Sequence, residues 1–327
     1  MKKVFYVLFL FMLLVGCSSK NESGILKELE KKVEKADSYN LVGTLEMINN
    51  ENSHIYDVEV SYEKENNFKV SLSNQINNHT QIILKNEDGV YLLTPSLNKS
   101  LKFKSKWPYN NSQSYILQVL LDDIKNDSDR VFEEMENGCI FTTKTNYSNN
   151  PDLKKQKIYL DSDMNFTKVE VMDEEENVKI TMTFDSVDFD YDFEKGYFTL
   201  DYNVKETNLD QTSSKIDEII YPMYLPNNTT LTSQDKVSKS DGERVILTFS
   251  GDKPFTFVQE TVSASEELTT VLSYGEPTLI GDVIASVSEN SITWISSGVE
   301  YYIVSEVLSE DELVEIASSI SSLPVMK

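Results

Sequence analysis

The chain has 327 residues, 39% hydrophobic and 26% charged, a globular composition with room for about two domains. Its 30 Lys and Arg stand against 54 Asp and Glu, a formal charge of -24, so phosphate backbones are repelled and nucleic acid is excluded as a partner. Two cysteines and two histidines are too few for most zinc and iron-sulfur sites and argue against histidine-based catalysis, which points to a non-enzymatic binding or scaffolding protein with no cofactor and no metal.

Lys2 and Lys3 precede an apolar run from Val4 to Leu14, the length of a secretory signal core and too short to span a bilayer. The run closes on Leu14-Val15-Gly16-Cys17, which reads as a bacterial lipobox: a small residue before the scissile bond, then a thiol that diacylglycerol alkylates. We therefore expect a signal peptide over 1–16 and a lipid-anchored tether over 17–23. Cys17 becomes the diacylglyceryl N-terminus, carrying palmitate-type chains, on the extracytoplasmic face of the cell membrane. Buried methylenes contribute ~0.8 kcal/mol each, so two acyl chains hold an acidic protein against an anionic surface.

Ile25, Leu29 and Val33 recur at helical spacing and predict an amphipathic helix over about 24–37. The pattern then changes to period two through Tyr39, Leu41, Leu45 and Met47, then Tyr56 to Tyr62, Phe68 to Leu72, and Ile82 with Leu84, as in an antiparallel meander. Asp88-Gly89 marks a hairpin into Val90 to Thr94. After a strand at 101–104, Trp107-Pro108 breaks the pattern, and Tyr115, Ile116, Val119, Leu120 and Ile124 predict a second helix over 112–125. Strands resume at 131–135, 139–144, 156–160, 167–172 and 178–184. Residues 204–214 lack an apolar face and read as a linker. Beyond it, strands are expected at 243–249, 255–260, 282–287, 291–296 and 299–304. Ser309 with Glu312 forms a capping box for a last helix on Leu313, Ile316, Ala317 and Ile320.

His54 and His79 have no Cys partner nearby and read as surface or strand-end residues. Cys139 sits in an apolar triplet and reads as a buried small residue. Ser233-Gln234-Asp235-Lys236 matches Ser-x-x-Lys without its companion motifs and falls in a stretch read as a polar loop. The Asp161-x-Asp163-x-Asn165 and Asp188-x-Asp190-x-Asp192 runs imitate calcium loops but lack the turn Gly and the terminal Glu, so they read as a turn and a solvated face. Lys99, Lys102, Lys104 and Lys106 interrupt an acidic chain, interleaved with Leu101, Phe103 and Trp107. They make a candidate docking rim for a membrane surface or an acidic partner.

Behind these elements, Ile158-Tyr159-Leu160-Asp161, Val169-Glu170-Val171 and Ile180-Thr181-Met182-Thr183-Phe184 resemble the LolA/LolB/RseB superfamily over about residues 25–200. The resemblance implies a curved antiparallel half-barrel sheet with helices on its concave side, enclosing an apolar cavity. The stretches Tyr221-Pro222-Met223-Tyr224-Leu225-Pro226 and Ile292-Thr293-Trp294 resemble a small C-terminal domain of sporulation- or germination-associated lipoproteins of spore-forming Gram-positive bacteria. That likeness implies a role in envelope or spore assembly.

The expected fold is therefore α+β: a LolA-like half-barrel over 24–203, the linker over 204–214, and a smaller α+β domain over 215–327. Two functions follow. One is binding of an acyl chain or lipopeptide in a groove lined by Phe103, Trp107, Ile116, Val119 and Leu120. The other is an adaptor or sensor role towards a cell-wall hydrolase or an envelope signalling protein. A soluble shuttle does not fit a chain tethered through Cys17.

Overall fold

Asn21 accepts the Gly24 backbone N–H through its side chain at 2.9 Å and so caps α1 (Glu22–Glu34). The helix buries Ile25, Leu29 and Val33 on one stripe, at the spacing read from the sequence, and ends earlier than the expected 37. The computed structural model describes residues 21–49, 52–147, 150, 152–205, 216, 218–240, 242–262, 267–281, 283–296 and 298–321. The expected signal peptide and lipobox, with Leu14, Val15, Gly16 and Cys17, lie outside the described residues, as does most of the expected linker.

The first unit is built on one open sheet. Its strands are β1 (Ser38–Asn49), β2 (Asn52–Glu63), β3 (Asn67–Asn74), β4 (Thr80–Asn86), β5 (Gly89–Thr94) and β6 (Lys99–Phe103), followed by β7 (Val131–Met135), β8 (Gly138–Lys144), β9 (Lys155–Asp161), β10 (Phe166–Met172) and β11 (Val178–Phe189). Each pairs antiparallel with its neighbour in the chain, except that β6 and β7 end opposite wings and β1 joins β11 at the centre. One face carries Leu41, Leu45, Val58, Val60, Val70, Phe141, Ile158, Val169 and Met182, all buried. Against that face pack α1 and α2 (Leu117–Asn126), which contributes Leu117, Leu120, Leu121 and Ile124. Helix α2 starts at Leu117, not at the expected 112. The Ser112 N–H donates to the Asn146 carbonyl at 2.8 Å and the Asn146 N–H to Ser112 Oγ at 2.9 Å. That reciprocal pair straps the preceding residues to a loop and keeps them out of the helix.

Period two also left a choice of face open in β4. Ile83 points to the helices, while Ile82 and Leu84 join Tyr91 and Leu93 on the other side. There they are covered by Phe193, Tyr197, Phe198 and α3 (Leu200–Lys205). With both faces covered, β4 and β5 are buried almost throughout.

The second unit is a seven-stranded sheet of β12 (Thr229–Lys239), β13 (Gly242–Gly251), β14 (Phe255–Thr261), β16 (Glu276–Ile280), β17 (Val283–Ser288), β18 (Ser291–Ser296) and β19 (Val299–Val304), in the order 12-13-14-19-18-17-16. Helix α4 (Glu310–Ser321) lays Leu313, Ile316, Ala317 and Ile320 on one face of it. The capping box forms: the Glu312 N–H donates to Ser309 Oγ at 3.3 Å and the Ser309 N–H to Glu312 Oε2 at 3.2 Å. Ser233 to Lys236 lie in β12 and not in a loop. Nearly all of β12 is exposed on both faces, so no apolar alternation marks it, and pairing with β13 supplies its order.

The two sheets interlock. A further strand, β15 (Thr269–Ser273), leaves the second unit and pairs in parallel with β6, making the first sheet twelve-stranded. Ser100 and Thr270 hydroxyls meet at 2.8 Å across that pair. Ile284 of β17 lies in the first unit's core, and its backbone is engaged on both sides by the Gln81 side chain. Tyr56 donates its hydroxyl to the Gly281 carbonyl at 2.7 Å, in the turn where Gly281 takes a φ of +55° that favours glycine. The architecture is thus α+β: a large, open, curved antiparallel sheet with helices on its concave side, joined to a smaller α+β unit.

Candidate ligand cavity between the two units

Where the concave face of the first sheet meets β16 and α4, the side chains do not close, and a cavity of about 790 Å³ remains. Its floor is apolar: Leu45 and Met47 from β1, Ile83 from β4, Ile180 from β11, and Leu279, Ile280 and Ile284 from the second unit. Leu45, Ile83 and Ile284 are buried in the core, so the strand pattern itself provides this surface. Loop residues Tyr115, Tyr147 and Leu153 form one side, and Met223, Tyr224, Asp311, Val314 and Glu315 the other. The volume lies within the ~300–1,000 Å³ of small-molecule sites, and the mixture of an apolar floor with a few polar groups is typical of them.

Several polar groups here lack protein partners. His54, expected at the surface or a strand end, lies within β2, half-buried, and lines the cavity. Its Nε2 is buried with no hydrogen-bond partner. His79, which does not line the cavity, is also half-buried, and burial holds it below its ordinary range. Tyr115 is 6% exposed and lines the cavity, and burial pushes its phenol well above the usual range. Buried polar groups in folded proteins nearly always have a partner, so unpaired ones on a cavity wall suit a ligand or ordered water.

The residues expected to line a groove are placed elsewhere. Phe103, Trp107, Ile116, Val119 and Leu120 are packed in the first unit's core and none lines the cavity. They belong to the same concave layer: Val119 and Leu120 lie on α2, Ile116 is its N-cap, and all five are packed between the helices and the sheet. The cavity is lined instead by β1, β4 and β11 together with β16, β17 and α4, and only the meeting of the two units reveals it. Tyr115, one residue before Ile116, is the nearest point of contact between expectation and cavity.

Of the expected rim, Lys99 is tied to Glu300 of the second unit at 2.8 Å and is largely withdrawn from solvent. Lys102 sits over the Tyr91 ring at 5.1 Å, and Lys104, exposed, over the Tyr274 ring at 5.9 Å. Lys106 is exposed. Thus β6 does not offer a free edge, because β15 occupies it. The Asp161 carboxylate accepts the Asp163 and Asn165 backbone N–H groups at 2.9 and 2.8 Å and the Asn165 amide at 2.9 Å, which makes it the keystone of the β9–β10 turn. Asp188 and Asp190 lie on an exposed face. Cys139 is fully buried, and burial pushes its thiol up to about 11. Among the described residues no group of three or more His, Cys, Asp or Glu could hold a metal ion.

A curved open sheet, helices in its hollow and a second unit closing a cavity over it define a two-unit protein of α+β class. The chain is 35% identical over 313 residues to the sporulation protein YdcC of Bacillus subtilis strain 168, covering 94% of this chain and 93% of that protein. It belongs to the family of that sporulation protein. No family model matches it. Among solved structures it is similar to the Pseudomonas aeruginosa MucA/MucB complex, with 12% identity, 89% of this chain and 96% of that chain covered, and a TM-score of 0.34. A LolA superfamily protein from Nitrosomonas europaea shows 11% identity, 55% and 98% coverage, and a TM-score of 0.33.

Proposed function

We propose that the protein is a lipoprotein, anchored through Cys17 on the extracytoplasmic face of the cell membrane, that binds an acyl chain or lipopeptide in the cavity between its units. The observation that carries this reading is the cavity itself, about 790 Å³ with Leu45, Met47, Ile83, Ile180, Leu279 and Ile284 on its walls. Apolar surface of that extent is stabilised by an apolar occupant at roughly 25 cal/mol per Å² removed from water. Kinship with a protein named for sporulation supports a place in spore or envelope assembly. Binding, with no chemistry on the ligand, is the activity in view.

The test is to purify the full chain in an exchangeable detergent, extract it with organic solvent and identify released amphipaths by mass spectrometry. A stoichiometric amphipath, absent from a Leu279→Trp variant whose added ring fills the cavity, is expected. Equal recovery from both proteins would place any lipid outside the cavity.

An adaptor role is the second reading, and a specific surface favours it. Leu272 and Tyr274 are 63% and 81% exposed on and beside β15, the edge of the large sheet, next to exposed Lys104 and Lys106. Open edges with exposed apolar residues pair with other chains. A photo-crosslinker placed at Tyr274 should give one discrete protein adduct in intact cells, with none from Asp190; identical adducts from both positions would remove the reading.

A further inference from the structure

Charge is distributed unevenly around the cavity mouth. Helix α4 presents Asp311 and Glu315, one turn apart and so on one face, and the opposite loop adds Asp152; all three line the cavity and all three are exposed at its rim. Against these carboxylates the lining has one ammonium, Lys179, and its Nζ is already held by Asp173 at 3.3 Å. The negative field extends along the helix. Glu310 is held above its usual range by burial first, then by the charges of Asp311, Glu289 and Glu276. Tyr224, also on the lining, is pushed up by burial, then by the Glu315 charge and a hydrogen bond to Glu315.

Deeper in, Tyr115 is 6% exposed and lines the cavity, and burial is the one cause that raises its phenol. A phenol in that position can donate to an acceptor. From mouth to floor the site therefore offers carboxylates, then a hydroxyl donor, then an apolar floor.

On the reading of the cavity as a ligand site, we infer that it takes an amphipath with an amine-bearing head and discriminates against a free fatty-acid carboxylate. The amine sits among Asp152, Asp311 and Glu315, a carbonyl or ester oxygen accepts from Tyr115, and the chain lies against Leu45, Ile83 and Ile284. A carboxylate head in the same place meets three like charges and no available cation, because Lys179 is engaged.

Titration calorimetry at pH 7 with decylamine, decanol and decanoate, each below its micelle concentration, tests this on the full chain in low-salt buffer. Decylamine should bind about tenfold more tightly than decanoate, a modest yield for charges near a protein surface. Asp311→Asn combined with Glu315→Gln, both at exposed positions that tolerate the change, should remove about that factor for decylamine and leave decanol unchanged. Asp188→Asn with Asp190→Asn, the same change in net charge on a remote exposed face, should alter neither. Decanoate binding as tightly as decylamine, or an equal effect from the two double variants, overturns the inference while leaving the cavity as a lipid site. Binding of none of the three probes, with circular dichroism showing a folded protein, overturns the ligand-cavity reading and this inference with it.

Discussion

Gln81 and Ile284, 203 residues apart, make two hydrogen bonds to each other in the buried seam between the units: the Gln81 side-chain amide donates to the Ile284 carbonyl at 3.1 Å and accepts the Ile284 N–H at 2.6 Å. The amide does what a neighbouring strand would do for one residue of β17. It holds Ile284 on the cavity wall while satisfying a position of β17 that pairs with Leu279 of β16 but that β18, in register only with Ser286 to Ser288, does not reach.

Replacing that amide isolates two buried backbone groups. Gln81→Leu should lower stability by about 1–3 kcal/mol for each group left unpaired, read as a fall in the urea midpoint with little change in slope. It should also weaken amphipath binding, since the wall carrying Ile284 and Leu279 loses its fixing point. An unchanged midpoint would show the seam to be held by other contacts.

The cavity and the core respond differently to substitution. Leu120 of α2 is fully buried in the core against the sheet, so Leu120→Gln should cost about 2–5 kcal/mol in lost packing and about 1–3 kcal/mol for an unpaired amide. Near-ultraviolet circular dichroism and ligand binding should then fail together. Leu279→Trp, half-buried on the cavity wall, should keep the spectrum and lose at least tenfold in affinity for a fluorescent fatty amine. Retention of affinity by a folded Leu279→Trp protein would remove this cavity from consideration.

Asp123 on α2 accepts the Gln156 side-chain amide at 2.7 Å, and burial pushes its carboxyl up to about 6. A carboxyl with a folded-state pKa above its unfolded value binds protons more tightly when folded, so stability falls as pH rises from about 4 to about 6 and stays lower above that. Asp123→Asn keeps the acceptor and removes the charge. It should be more stable than the parent at pH 7.5 by on the order of 2 kcal/mol, with the gap closing near pH 3.5. A gap independent of pH would show that packing, not ionisation, accounts for it.

The anchor has a direct test. Cys17→Ser removes the thiol that diacylglycerol would modify, so the variant should lose membrane partitioning and remain unprocessed or be released. Radiolabelled palmitate should enter the parent and not the variant. A variant that matures and sediments with membranes as the parent does would refute the lipobox.

Much of the architecture is written locally. The 3.6 spacing of Ile25, Leu29 and Val33, the Ser309 and Glu312 box, and the alternation through β1 to β3 and β8 to β11 identify their elements, because helix and strand periods depend only on neighbouring residues. Long-range packing decided what those elements do. It chose Ile83 over Ile82 and Leu84 for the concave face, since the Phe193 to Val204 segment covers the other. It ordered the polar β12 by pairing, with no pattern of its own, and carried β15 across to the edge of β6. It packed Phe103, Trp107, Ile116, Val119 and Leu120 into the core between the sheet and its helices and opened the cavity where β16, β17 and α4 approach Leu45 and Ile180. Local periodicity records that a side chain is apolar; whether it ends in a packed core or on a cavity wall depends on which distant segment arrives opposite it, and that is set by the fold as a whole.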